Sequence, residues 1–181
     1  EEPDVSTLAF GNLNRQRAYW VGRSTIAWKV RAGEGDVFTL HVGGDGGLEL
    51  TADGVEGGEN VILTHASDNL PREMLARFPH LVGYDALSLP DDKLEMLPSY
   101  LKRQLAISVT GPDGVVRDAT GLQLPGVLDD MFAYDGPLGV TWDGDVPTLA
   151  VWAPTAQNVW LHVFDSADSP EPGVLTSITR C

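Results

Sequence analysis

The sequence predicts an all-β fold for this chain of 181 residues. Twenty glycines and twelve prolines interrupt it at short intervals, and short apolar runs lie between them. Several of these runs alternate apolar and polar residues, which is the pattern of a strand that buries one face. Because 43% of the residues are hydrophobic, the chain also has enough apolar surface to form a packed core.

The first part of the chain is predicted to contain a polar lead-in over residues 1–17 and then a series of strands. In residues 25–31, Ile26, Trp28 and Val30 share one face, and residues 37–42 alternate in the same way. The glycine-rich turn between these two runs indicates that they pair as a hairpin.

Residues 43–60 contain seven glycines, five acidic residues and no basic residue. We interpret this stretch as a mobile loop with a short edge strand. The alternative is a calcium loop, since carboxylates are ligands for hard cations, although the spacing matches no EF-hand.

One short helix is predicted near residues 69–78. Asp68 or Asn69 would cap it and Pro71 would lie in its first turn. Its apolar stripe is expected to face the core. Further strands are predicted at residues 84–89 and 101–109, with a return strand from residue 115.

Composition excludes several classes of function. The chain has 26 acidic and 12 basic residues, a net charge of −14, which argues against nucleic acid or an anionic membrane as a partner. No apolar run approaches the length of a membrane span. Cys181 is the only cysteine, so an internal disulfide is impossible.

The search for reaction chemistry identifies no catalytic residue. The four histidines, His41, His65, His80 and His162, lack metal-ligand spacing along the sequence, so no metal or cofactor is predicted. The neighbouring aspartates Asp129 and Asp130 could suggest glycoside hydrolysis, which uses two carboxyl groups. In so acidic a chain, however, such a pair carries little information. The Asp143-Gly144-Asp145 segment is best explained as a hairpin turn.

Four tryptophans are candidates for carbohydrate binding: Trp20, Trp142, Trp152 and Trp160. Aromatic faces suit sugar binding because they match the apolar face of a pyranose ring. The alternative for each is burial in a core or between domains, as expected for Trp28.

A strand over residues 158–165 carries bulky apolar residues on both faces. Val159, Leu161 and Val163 point one way, and Trp160 and Phe164 point the other. A strand that is apolar on both faces is normally covered on both. One face is therefore expected to meet another domain, a ligand or a chain segment absent from this sequence.

Three stretches together resemble a known family: Ala18-Tyr-Trp-Val21 with Ile26-Ala-Trp28, then Gly121-Leu-Gln-Leu-Pro-Gly-Val-Leu-Asp-Asp-Met-Phe-Ala-Tyr134, and Val151-Trp-Ala-Pro-Thr-Ala156. They are similar to the N-terminal region of plant and algal limit dextrinases, the pullulanase-type starch-debranching enzymes of the alpha-amylase superfamily. The run from Tyr134 through Gly139, followed by Trp152 to Ala156, is also similar to bacterial pullulanases.

The resemblance implies two tandem β-sandwich modules of the immunoglobulin-like kind. The first, residues 18–124, resembles an N-terminal starch-binding-like module. The second, residues 125–181, resembles the start of an isoamylase-type carbohydrate-binding module and is expected to be incomplete.

The resemblance also implies a function and a location. The parent enzyme would hydrolyse α-1,6 branch points in a downstream catalytic barrel, in a plastid. None of its catalytic residues maps here, so the fragment is expected to be non-catalytic, orienting the barrel and engaging α-glucan. Candidates for packing against the barrel are Trp152, Pro154, His162 and Phe164. The alternatives are a free-standing starch-binding module and an acidic, calcium-dependent interaction module.

Overall fold

The computed structural model describes residues 11–171 and 173–177, and the chain divides into two compact units, Glu1–Asp135 and Gly136–Cys181. The strands are Asn12–Gly22 (β1), Thr25–Trp28 (β2), Val37–Gly43 (β3), Glu49–Thr51 (β4), Gly54–Glu56 (β5), Gly58–Ser67 (β6), Asp85–Ser88 (β7), Leu105–Thr110 (β8), Val116–Gln123 (β9), Gly139–Asp143 (β10), Val146–Ala150 (β11), Trp160–Val163 (β12) and Val174–Ser177 (β13). The α-helices are Arg72–Arg77 (α1), Leu97–Tyr100 (α2) and Pro125–Phe132 (α3), and 3-10 turns span Pro79–Leu81 and Asp91–Met96.

Seven strands of the first unit close into one sheet, in the order β1-β2-β7-β6-β3-β8-β9. All neighbours are antiparallel except β9 and β1, which are parallel and close the sheet. The prediction of a mostly β protein is confirmed. The finer expectation of an immunoglobulin-like sandwich in this unit needs correction, because β9–β1 pairing joins the two edges that an open sheet would leave unpaired.

The predicted hairpin between residues 25–31 and 37–42 is wrong. Strand β2 pairs with β1 and β7, whereas β3 pairs with β6 and β8. Residues 29–36 separate the two strands, which is longer than a tight hairpin turn, and all four residues of β2 are buried. Burial on both faces favours a central place in the sheet over one at the end of a hairpin.

The core of the first unit lies inside the closed sheet. Its largest fully buried side chains include Trp20, Trp28, Leu40 and Ile107, and Val127 of α3 packs into the same cluster. The prediction that Trp28 is a core residue is confirmed. Strand β1 begins at Asn12, so residues 12–17 are part of the sheet and not of a lead-in.

The outer face of the sheet is also covered in two places. Val21, Ala27 and Leu81 belong to a cluster formed against α1 and the 3-10 turn that follows it. On the other side of the unit, Val55 packs with Ala119 of β9. Residues 43–60 therefore contain a small β4–β5 hairpin and the start of β6. The expected short edge strand is present as β4, while β5 and the start of β6 lie where a mobile loop was expected.

A helix lies close to the predicted position, at Arg72–Arg77, but two further α-helices and two 3-10 turns were not predicted. The residue at its N-cap is Pro71, and no side chain of this end caps the helix, so the expected cap by Asp68 or Asn69 is not formed. No described helix is long and apolar enough to cross a membrane.

Side chains reinforce the parallel pairing of β1 with β9. Its register shifts twice, between Asn12 and Gln16 and between Gln16 and Ala18, and such bulges interrupt the ladder. The buried Thr120 hydroxyl donates to the Arg15 carbonyl (2.6 Å) and accepts from the backbone N–H of Arg17 (3.1 Å). One hydroxyl therefore hydrogen-bonds to two backbone groups at a place where the β1–β9 ladder is irregular.

We predict that Thr120→Val, which keeps the side-chain shape, lowers the free energy of unfolding by about 1–3 kcal/mol. The Arg15 carbonyl and the Arg17 amide would lose their partner in a partly buried place. Urea unfolding measures the change. Thr64→Val, at an exposed position of β6, is the control and should stay within about 0.5 kcal/mol of wild type. Equal stability of the two variants would contradict this role for Thr120.

A second polar contact ties β3 to both of its neighbours. The buried His41 of β3 lies with Nδ1 2.7 Å from Asn60 Oδ1 on β6 and with Nε2 2.8 Å from Ser108 Oγ on β8. With the Asn60 oxygen as acceptor, Nδ1 carries the proton and Nε2 accepts from the Ser108 hydroxyl. Burial lowers the pKa of His41, and the Asn60 contact offsets this only in part. The neutral imidazole is therefore the form that fits the folded sheet.

From the lowered pKa of His41 we predict a loss of stability as the pH falls below about 6.5, the ordinary value for histidine. The unfolded chain binds the proton first, so acid favours unfolding, and the loss is complete below the folded pKa. Urea unfolding at a series of pH values measures this slope. His41→Gln is polar but does not titrate, so its slope should be shallower in this window. An identical slope would assign the effect to other groups.

Candidate carbohydrate-contacting surface

Exposed apolar side chains are concentrated in the second unit. Strands β10 and β11 form an antiparallel hairpin in which Val140 pairs with Leu149 and Trp142 with Pro147. Directly paired residues and their second neighbours share a face of a two-stranded sheet. These four residues, here called the hairpin face, therefore form one apolar surface. All four are exposed, and Trp142 is 67% exposed.

The hairpin forms because the chain has a suitable turn between two alternating runs. Asp143 pairs with Val146, which leaves Gly144 and Asp145 as a two-residue loop. Gly144 has a φ of 58°, a conformation that glycine adopts without steric cost. The interpretation of this segment as a hairpin turn is confirmed.

Strand β12 is apolar on both faces, and its large residues remain exposed on each. Trp160 is 55% exposed and Val163 45%, and these two residues point to opposite sides. The strand pairs through its backbone with β13, from Trp160 opposite Ser177 to Val163 opposite Val174. The central part of the predicted strand at residues 158–165 is therefore present, with uncovered apolar surface of the kind the sequence led us to expect.

The residues expected to pack against a catalytic barrel lie on this strand and beside it. Trp152 (40% exposed) and the half-buried Pro154 are in the segment between β11 and β12. His162 is exposed on β12, and Phe164, 49% exposed, follows the strand directly. All four belong to the second unit.

Trp20 must be removed from the exposed candidates, because its side chain has no exposed surface. It points into the core of the closed sheet, while Tyr19 and Val21 on its other face pack against the cluster beside α1. The sequence interpretation assumed that one face of β1 meets solvent. Both faces of this part of β1 are covered, so a sugar ring cannot reach Trp20 in the folded unit.

The sequence reasoning overlooked the apolar residues that surround Trp142. Val140 and Trp142 before the turn are spaced by two, and so are Pro147 and Leu149 after it. Once the turn at Gly144 is recognised, this spacing predicts that they share a face. The signal was therefore present in the sequence.

This surface offers chemical groups suited to binding by contact. Flat, exposed indole rings can stack on a sugar or fill a gap against another domain. The carboxylates of Asp143 and Asp145 in the adjoining turn can accept hydrogen bonds from hydroxyl groups.

One set of ionisable groups with shifted pKa values joins separate elements of the first unit. The Tyr100 hydroxyl donates to Glu59 Oε1 (2.7 Å), and Lys93 Nζ lies 3.2 Å from the same oxygen. These two hydrogen bonds lower the pKa of Glu59, while burial and the Glu59 contact raise the pKa of Tyr100 to about 12. The group joins α2 and the preceding 3-10 turn to β6.

Comparison with protein families gives one match within the first unit. Residues 15–130 match the family described as the pullulanase N2 domain. This range covers well over half of the chain and includes the closed sheet from residue 15 onward and most of α3.

Curated relatives and solved structures agree with that match. The chain is 38% identical over 157 residues to pullulanase 1, chloroplastic, of Arabidopsis thaliana, covering 86% of this chain and 16% of that protein. It is 32% identical over 172 residues to a pullulanase of Klebsiella pneumoniae, covering 91% and 15%. The crystal structure of Klebsiella pneumoniae pullulanase complexed with maltotriose superposes with a TM-score of 0.80 at 27% identity, covering 97% of this chain and 16% of that one.

The chain thus spans about one sixth of the length of these relatives. Its closed sheet is the part that the family describes, and its second unit lies within the region that also aligns to the full-length enzymes. The chain belongs to the pullulanase N2 domain family and corresponds to the N-terminal region of pullulanase-type enzymes.

Proposed function

We propose that this chain is a non-catalytic N-terminal part of a starch-debranching enzyme, whose whole form hydrolyses α-1,6 branch points in amylopectin, limit dextrins and pullulan. The observation that carries the proposal is the exposed apolar surface of the second unit. A short hairpin exposes Val140, Trp142 and Leu149 to solvent on one face, which is unfavourable for apolar side chains. Contiguous apolar surface of this kind usually contacts a partner.

The partner that fits this surface is the catalytic barrel of the same enzyme. The relatives are several times longer than this chain, so a further part of the polypeptide is available to cover the face. Trp152, Pro154, His162 and Phe164 are the residues we propose to pack there. The first unit, with its sealed core, would provide a rigid support.

We predict that the isolated chain binds the dye ANS through these exposed faces. A double variant, Trp142→Ser with Leu149→Ser, removes the two largest side chains of the hairpin face and should lower the ANS fluorescence by about half or more. Ile62→Ser, at a position of the first unit with 57% exposure, is the matched control and should leave it nearly unchanged. Equal fluorescence of the two variants would contradict a role for the hairpin face.

A second function, binding of α-glucan, is favoured by one observation. Trp142 and Trp160 each expose more than half of their surface on regular strands, which hold an indole ring in a fixed direction. The Klebsiella pneumoniae pullulanase was crystallised with maltotriose, which supports an α-glucan as the ligand to test. Trp152 is a third candidate and Trp20, being buried, is no longer one.

For glucan binding we predict that amylopectin in a native gel retards the chain and that Trp142→Ala or Trp160→Ala reduces the retardation. Loss of one stacking ring should weaken binding by about fivefold or more, given the usual contribution of an aromatic contact. Ile62→Ala is again the control. Mobility unaffected by amylopectin would leave domain packing as the only role of these rings.

The same samples test whether the chain is catalytic. We expect no maltotriose from pullulan, because no residue of the chain can be assigned the acid and nucleophile roles of a glycosidase. Release of maltotriose by the purified chain would overturn the proposal.

We further propose a plastid location for the whole enzyme, which the chloroplastic Arabidopsis relative supports, although the Klebsiella relatives are bacterial.

A further inference from the structure

One histidine and two aspartates of the first unit meet where β6 ends and β7 begins. His65 Nε2 lies 3.6 Å from Asp68 Oδ1 and 3.6 Å from Asp85 Oδ2. One ligand atom from each of the three residues lies within 4.8 Å of the others. We call this group the His65 cluster.

The fold brings these residues together from two strands and a loop. Strand β6 pairs with β7 so that His65 lies opposite Leu87, two residues from Asp85 on the same face. The register shifts between His65 and Ser67, and Asp68 follows at the end of the strand. The bulge turns the chain so that a residue only three positions beyond His65 faces the same imidazole.

The imidazole ring is held in place by packing. Phe38 of β3 stacks on His65, with ring centroids 5.7 Å apart and planes inclined by only 19°. Phe38 itself is 2% exposed, so the surface under the ring is fixed by the core. Nε2 is therefore directed at the two carboxylates by a rigid support, which is the arrangement that a metal ligand requires.

Asp85 supplies an independent reason to expect a cation. The residue is only 9% exposed, its side chain is 12% exposed, and the His65 imidazole lies 3.6 Å from its carboxylate. At that distance the imidazole is a weak hydrogen-bond partner. Burying a carboxylate with a weak partner is unfavourable, and a bound cation would reduce the cost.

The spacing and the donor types favour zinc. Ligand atoms about 2.0–2.2 Å from a tetrahedral zinc lie about 3.4 Å from one another, close to the two distances of 3.6 Å from Nε2. The Asp68 side chain is 88% exposed and can rotate to complete the set. Imidazole with carboxylates suits zinc, whereas calcium takes oxygen ligands in larger number.

We propose that His65, Asp68 and Asp85 bind one divalent zinc ion, with water in the remaining position. The ion would join the loop before α1 to the start of β7 and so stabilise the closed sheet. This site is separate from the proposed glucan and packing functions and does not depend on them.

The test is isothermal titration of the full 181-residue chain with zinc chloride after removal of metals by a chelator. We expect one ion per chain and a rise in melting temperature at saturation. Asp68→Asn, at an exposed position that should not disturb folding, and Asp85→Asn should each weaken binding by about tenfold or more, since even the loss of outer-shell partners costs 10- to 100-fold. Calcium chloride should bind more weakly than zinc.

The matched control is His80→Gln, which removes an exposed histidine outside the cluster and should leave the zinc affinity unchanged. With so acidic a chain, non-specific binding of cations must be distinguished from a built site. The absence of saturable binding would overturn the proposal. Equal binding by wild type, Asp68→Asn and Asp85→Asn would also overturn it, by assigning the zinc to other groups on the surface.

Discussion

Parallel pairing between β1 and β9 closes the sheet of the first unit and is the contact on which the rest of this unit depends. It joins residues about a hundred positions apart, such as Ala18 and Leu122. Its backbone ladder is irregular, so side chains complete it: Thr120 bonds to two backbone groups, and Arg17 makes a double hydrogen bond to Asp118 (2.8 and 2.6 Å). This contact raises the pKa of Arg17, chiefly through the Asp118 hydrogen bond. A bidentate arginine–carboxylate pair of this kind fixes the relative orientation of the two side chains as well as the distance between them.

Closure has a direct consequence for where the chain can interact. Inside the sheet, two tryptophans and several aliphatic residues are sealed from solvent, and outside it α1 and the β4–β5 hairpin cover parts of the outer face. The second unit is built differently, from two-stranded sheets in its described part. A sheet of two strands cannot cover its own apolar face. The exposed indoles of Trp142 and Trp160 follow from this difference in architecture.

The two units present different kinds of surface. The first unit has a sealed core, while the described part of the second unit exposes apolar faces of the kind that usually contact a partner. The polar contacts inside the first unit, such as His41 with Asn60 and Ser108, are satisfied within the sheet and fix its strand register. The His65 cluster differs from them because its buried Asp85 carboxylate lies 3.6 Å from the His65 imidazole, longer than a normal hydrogen bond.

Local patterns in the sequence determined which segments are strands, as at Ile26 and Trp28 or along β8, because residues spaced by two lie on the same face of a strand. They also identified the turn at Gly144, and the family motifs identified the N-terminal region of a pullulanase-type enzyme. Only the tertiary structure decided which strands pair. Closure by β9, the separation of β2 from β3 and the burial of Trp20 depend on contacts between distant residues, which a periodic pattern does not encode. For the same reason His65 and Asp85, twenty positions apart, became neighbours only when β6 paired with β7.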